Sequence, residues 1–207
     1  MGYYRNNIIH LFVIPALLIK LISLHGKISQ QCLSDAVAVI YPFLKEDLIL
    51  HWDEDQLNSY IGQCLNTFSD CGFIQYEESQ WSISADNPDA LALDSFSSVV
   101  LPSLERYAML SQILFKAGSG ELKQAGLEKH YFKVLKGILQ LLGNGDADHS
   151  DRALIKGFIK TLKSTGAVEM NDERQLMFDG NFEQTISDLV LVISPEVHQI
   201  IDEIVAE

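Results

Sequence analysis

Residues 8–24, IIHLFVIPALLIKLISL, are apolar almost without relief. A run of this kind has to leave water, and the way it does so limits every fold open to the rest of the chain. His10, Pro15 and Lys20 interrupt it, and a membrane-spanning helix needs roughly 20 mostly apolar residues. No small-x-small cleavage site follows, so it does not read as a signal peptide. Asn6 stands where an N-myristoylation signal requires Ser or Thr. Three fates stay open: a helix buried in a domain or bridging two, an interfacial membrane helix, and a true span. The short length and the three interruptions favour the first.

Of the 207 residues, 47% are hydrophobic, enough for the core of one larger domain or of two small packed units. The formal charge is -13, from 28 acidic and 15 basic residues. Nucleic-acid binding requires phosphate neutralisation, so this balance argues against a free-standing nucleic-acid-binding protein. It also opposes a whole-surface attraction to anionic lipid, while leaving room for a local basic patch. Cys32, Cys64 and Cys71 form no CxxC, and a spacing of seven puts Cys64 and Cys71 on one helix face. Small apolar core residues are the plainest reading of all three, and a reducing cytoplasmic compartment fits.

Along the chain, residues 3–24 read as a helix that Pro15 kinks or divides, with Gly26 as its C-terminal cap. Ser29 caps a second helix bearing Leu33, Val37 and Ile40, and Pro42 interrupts it before a short segment with Phe43, Leu44 and Leu48. Asp53 and Gln56 have capping-box spacing ahead of Leu57, Ile61, Cys64, Leu65 and Phe68, which recur at helical intervals. Gly72 ends that helix. Residues 73–76 and 81–83 then read as two short strands around a polar turn. Three helices followed by a hairpin is the order of a winged helix. One long helix is expected over residues 88–116 and another over 122–142, with residues 143–151 as the clearest linker.

The pattern recurs. Leu65 to Ile74 aligns with Ile159 to Val168, pairing Thr67 with Thr161, Gly72 with Gly166 and Ile74 with Val168. Residues 168–170 and 175–178 would form a second hairpin. Ser194 and Pro195 then open a last helix. The expected fold is mainly α with two small β-hairpins, as two winged-helix-like units joined by a helical middle. Its parts are an apolar helical segment over 1–26, a first unit over 27–86, the middle over 87–143 and a second unit over 144–207.

No catalytic constellation stands out, since GxSxG, Walker, GxGxxG and HExxH motifs are all missing from the sequence. His51-Trp52-Asp53-Glu54-Asp55 offers metal-ligand types, but acidic residues in a helix's first turn are better explained by the helix dipole. Residues 144–151 resemble a calcium loop in composition only: counted from Asp146, the sixth place holds Asp151 and the twelfth Gly157. No metal or cofactor is expected. Lys156, Lys160 and Lys163 share a face at i, i+4 and i+7; a solvated face is the plain reading and an acidic partner the functional one. Tyr3, Tyr4, Arg5, Asn6 and Asn7, with His10 a turn further on, either cap the apolar helix or tie it to another domain.

The block YYRNNIIHLFVIPALL, followed by ISQQCLSDAVAVIYPFLKEDLILHWDEDQL and LERYAML, resembles the stretch after the catalytic domain in bacterial glycerol-3-phosphate 1-O-acyltransferases. The likeness fades beyond about residue 120. In that family, an upstream HxxxxD motif supports acyl transfer from acyl-ACP or acyl-CoA to glycerol 3-phosphate, and an FPEG-type block helps bind the phosphate. None of His10, His25, His51, His130, His149 and His198 has Asp five residues on, and no FPEG block occurs. The resemblance therefore implies a non-catalytic C-terminal part, itself inactive. Its expected partners are the upstream catalytic domain of the same enzyme and, through the whole enzyme, the cytoplasmic face of the inner membrane. Met1-Gly2 reads as an introduced or internal start before Tyr3. A stand-alone tandem winged-helix-like adaptor for a protein partner is the rival reading.

Overall fold

The computed structural model describes residues 2–48, 50, 52–141 and 151–206, the side chains of residues 2–9, 47, 141 and 151 excepted. It is mainly helical, with nine helices and five short strands among the described residues. The chain divides into two compact units, residues 1–103 and 104–207, and the boundary falls inside the stretch expected as a helical middle.

The apolar run forms α1 (Gly2–His25), a single helix that contains Pro15. From Val13 to Ile22 its Val, Ile, Leu and Ala side chains are each at most 1% exposed. A helix apolar on every side belongs inside a core, and α1 packs against α2 (Gln30–Leu48), α3 (Glu54–Asp70), α4 (Ala90–Ser97) and two strands of the first unit. Among the described residues no helix is long and apolar enough to cross a membrane. Neither Pro15 nor Pro42 divides its helix, contrary to the expectation for Pro42 in particular. A helical proline removes one hydrogen bond to the carbonyl four residues back. Those residues are Leu11 and Ala38, both exposed, so water can take the bond while Ile40, Tyr41, Phe43 and Leu44 anchor the far side of α2.

Gly26, at φ +71, turns α1 into β1 (Lys27–Ser29), a strand the sequence reading lacks. It pairs antiparallel with β3 (Gln80–Ser82) at Ile28↔Trp81, and β3 pairs with β2 (Gln75–Glu77) at Tyr76↔Trp81, giving the order β1-β3-β2. Ser29 ends the strand and also caps α2, its hydroxyl accepting from Cys32 N–H at 3.1 Å. The Asp53–Gln56 capping box forms in full at the start of α3. Expected as one helix, residues 88–116 are two: α4 closes through turn bonds from Val99 and Val100 N–H to Phe96 and Ser97 carbonyls. Buried Val100 then leads into α5 (Leu101–Ala117), with Pro102 in its first turn where no N–H is needed.

The second unit repeats the first. After α5, Lys123 bridges Gln175, and Leu122 accepts from Leu176 N–H at 2.8 Å. This takes the place of β1. Then come α6 (Gln124–Leu141), α7 (Asp151–Ser164), the hairpin β4 (Glu169–Met170) and β5 (Leu176–Met177), and α8 (Phe182–Val190). Gly72 and Gly166 both adopt positive φ, with N–H groups bonded to Ser69 and Lys163, 94 residues apart. Past the hairpins the offset is 93: Val192 and Ile193 repeat the turn bonds of Val99 and Val100, and Pro195 repeats Pro102. Ser194 caps α9 (Pro195–Val205) as expected, accepting from Val197 N–H.

Candidate functional site

Tyr3, Tyr4, Arg5, Asn6 and Asn7 fall in the first turns of α1, and their side chains lie outside the described residues. His10 is half-buried. The structure gives this cluster a helical backbone.

The turn after α2 is held from below. The Trp52 carbonyl accepts from Tyr41 Oη at 3.0 Å and from Lys45 Nζ at 3.2 Å, while the Trp52 ring stacks on Tyr60 at 4.8 Å and 17°. Asp53 is occupied by its capping bonds, and Glu54 and Asp55 lie in the first turn of α3, where the N–H groups and dipole favour carboxylates. His51 lies outside the described residues. Among the described residues no group of His, Cys, Asp and Glu is arranged to hold a metal ion. Trp52, Gln56, Ser59, Tyr60 and Gln63 instead line an open hollow.

Tyr60 lies one turn before buried Cys64 on α3. Burial pushes both groups up, Tyr60 to about 12. Cys64 is buried as expected, but Cys32 and Cys71 are exposed: Cys71 sits at the C-cap, past the last packed turn of α3. Because the folded state keeps Tyr60 and Cys64 protonated where an unfolded chain would release them, stability falls as pH rises. The window opens at the ordinary thiol value of 9.0 and runs to about 12. Urea midpoints measured across it decline for the native chain and decline less for Tyr60→Phe; equal declines would remove Tyr60 from the account.

Each unit also has a cleft between its first helix and the helix after its hairpin. In the first, about 220 Å³ lies between Ile22 and Ser23 of α1 and Leu93, Asp94 and Ser97 of α4. In the second, about 430 Å³ lies between Phe115 and Lys116 of α5 and Ile186, Ser187 and Val190 of α8. Every one of these pairs is 93 residues apart, so the clefts are copies of one feature. Their linings have diverged: the second gains Lys116, bound to Asp202 at 2.9 Å, and His198. Asp202, four residues after His198, is thus committed to an ion pair. The hydroxyls of Ser97 and Ser187 in these clefts donate to the backbone carbonyls of Asp94 and Gln184.

Lys156, Lys160 and Lys163 are exposed on α7, whose other side buries Ile155, Phe158, Ile159 and Leu162. Lys163 Nζ reaches Met170 Sδ at 3.5 Å, and Arg152 pairs with Glu128 at 2.8 Å. The row is a surface feature, apart from either cleft's lining.

With no reaction centre assembled among the described residues, the family assignment rests on likeness to known proteins. Residues 1–171 match the family model described as glycerol-3-phosphate acyltransferase C-terminal region. The chain is 34% identical over 171 residues to a glycerol-3-phosphate acyltransferase of Histophilus somni (strain 129Pt), covering 83% of this chain and 21% of that protein. It is also 34% identical over 197 residues to one of Haemophilus influenzae (strain PittEE), covering 95% and 24%. With one of Pseudomonas putida (strain KT2440) it shares 27% over 179 residues, covering 86% and 22%. The likeness thus runs well past residue 120, where it was expected to fade. No solved structure matches. The chain spans only about a fifth to a quarter of the length of these relatives, and it belongs to the family of glycerol-3-phosphate acyltransferase C-terminal regions.

Proposed function

We propose that this chain works as the non-catalytic C-terminal part of an enzyme that transfers an acyl chain from acyl-ACP or acyl-CoA to the sn-1 hydroxyl of glycerol 3-phosphate, in phospholipid synthesis. The observation that carries this is a match to the family's C-terminal region over residues 1–171, in a chain equal to about a fifth of its relatives. The chemistry belongs to the catalytic domain of the same enzyme, because no histidine here has the HxxxxD spacing. The chain's work is to pack on that domain and hold it. Tyr3, Tyr4, Arg5, Asn6, Asn7 and His10 lie at the junction, at the start of α1. The whole enzyme sits at the cytoplasmic face of the inner membrane, and the chain meets the membrane surface through it.

A chimera tests this. The C-terminal region of the Histophilus somni enzyme is replaced by residues 1–207, and transfer of radiolabelled acyl groups to glycerol 3-phosphate is measured. The chimera is expected to transfer well above the same enzyme truncated before that region, and the isolated chain to give no turnover above blank. A folded chimera as inactive as the truncation, or turnover by the chain alone, overturns the reading.

A second reading, a tandem winged-helix-like adaptor, is favoured by the helix–strand–helix–helix–hairpin order present in the first unit and echoed in the second. The row Lys156, Lys160 and Lys163 would then face an acidic protein partner. Neither reading involves nucleic acid, given a net charge of -13. An inactive chimera would move the adaptor to first place.

A further inference from the structure

The first unit leaves an apolar patch open where its repeat does not. Leu11 and Phe12 on α1 are 55% and 45% exposed, and Val99, just past α4, is 41% exposed. The ring of Phe12 meets that of half-buried Phe96 edge-on at 6.2 Å, so α1 and α4 bring the patch together. At an offset of 93 the counterparts in the second unit are Leu104, Glu105, Leu189 and Val192. Leu104 and Leu189 are each 1% exposed, Val192 is half-buried, and Glu105 puts a carboxylate where Phe12 has a ring. A single exposed Leu needs no explanation, whereas a cluster containing an aromatic pair marks a place where something docks. Loose packing of α1 is not the cause, because Val13, the next residue, is 1% exposed.

We propose that this patch is where the catalytic domain of the acyltransferase seats. The proposal rests on the function argued above and adds the surface to it. Two observations select this occupant. The matched region is the C-terminal region of its family and makes up only 21–24% of the relatives, so most of each relative precedes it. Leu11 and Phe12 lie on the first helix of that region, about 15 Å along it from the first matched residue. A domain joined there is held beside the patch at high effective concentration, so a modest apolar contact is enough to dock it. An aromatic-centred apolar core is also what separates an interface from ordinary surface.

The test uses the chimera and the isolated chain side by side, with hydroxyl-radical footprinting of Leu11, Phe12, Phe96 and Val99. In the chimera these residues are expected to label on the order of tenfold more slowly than in the isolated chain, as in a packed interface core. Phe12→Glu, which copies the Glu105 counterpart, restores fast labelling at Val99 and exposes the junction to limited proteolysis. The same substitution in the isolated chain leaves the circular dichroism spectrum and melting temperature unchanged, since Phe12 is already half in solvent. Equal labelling in both proteins, in a chimera that still transfers acyl groups, overturns the patch and leaves the functional reading standing. An inactive folded chimera removes the functional reading, and the patch with it. Two results assign the surface to another occupant and so overturn the proposal. One is dimerisation of the isolated chain that Phe12→Glu abolishes. The other is flotation of the isolated chain with phosphatidylglycerol vesicles that Phe12→Glu abolishes.

Discussion

Leu17→Ala is expected to lower the stability of the first unit by about 3–5 kcal/mol, while Leu91→Ala shifts it by less than about 0.5 kcal/mol. Leu17 is fully buried in the middle of α1 and Leu91 is 84% exposed on α4. Removing Leu17 loses the transfer energy of its side chain and leaves a cavity that the surrounding residues cannot fill. Those residues, Ile14, Leu18 and Leu21 on α1 itself and the packed faces of α2, α3 and α4, are already close-packed. Urea denaturation with hydrogen exchange read on peptides from α1 and α3 gives the loss for this unit alone. Were α1 an interfacial helix with one face in lipid, the isolated chain would show little difference between the two substitutions. Equal effects would therefore remove α1 from the core.

How much of this was legible beforehand depended on the strength of the local signal. Asp53 with Gln56, Ser194 with Pro195, and the glycines at 26, 72 and 166 each encode one backbone event with one residue type, and each appears where the sequence puts it. β1 was not legible, because three residues are too few to show alternation and Ile28 alone is buried. Its existence depends on Gln80 and Trp81 arriving 51 and 53 residues after their partners Ser29 and Ile28, which no local pattern announces. The split between α4 and α5 was legible and overlooked. Pro102 disfavours helix at the residue before it, and VVLP at 99–102 matches VISP at 192–195.

That second match also exposes the repeat more fully than the ten positions first aligned. Its offset of 93 differs from the 94 around Gly72 and Gly166 because the second hairpin is one residue longer, while the stretch from hairpin to the next helix is shorter, residues 178–181 against 83–89. The first reverses at Glu78 and Ser79, both at positive φ, which gives the tight two-residue turn that suits the twist of the strands. The second uses residues 171–175, with Asn171 Oδ1 accepting from the N–H groups of Glu173 and Gln175. A search at one fixed offset loses the register at this point. The candidate surfaces were less legible still. Lys156, Lys160 and Lys163 could be placed on one face from spacing alone, but the exposure of Phe12 beside buried Val13 is a property of packing.

Phe158→Ala is expected to lower the stability of the second unit by about 3–5 kcal/mol, with its partner in the repeat, Cys64→Ala, costing the first unit only about 1 kcal/mol. The two positions are 94 apart on equivalent helices, Ile61, Cys64, Leu65 and Phe68 on α3 matching Ile155, Phe158, Ile159 and Leu162 on α7. Phe158 is 1% exposed and its ring lies 6.3 Å from that of buried Tyr107 on α5, at 19°. Such a pair adds about 0.5–1.5 kcal/mol to the area the ring buries. Cys64 fills the matching place with a much smaller side chain, and α1, which in the first unit takes the place of α5, brings Leu and Ile instead of a ring. The two cores are thus one arrangement filled by different volumes: a large ring where the first helix offers Tyr107, a thiol where it offers branched aliphatics. Hydrogen exchange on α5 and α7 peptides, set against α1 and α3 peptides, separates the units in one experiment. Loss of protection confined to α5 and α7 in Phe158→Ala supports this account. A Cys64→Ala penalty as large as that of Phe158→Ala would show instead that the two units divide their packing between the helices in some other way.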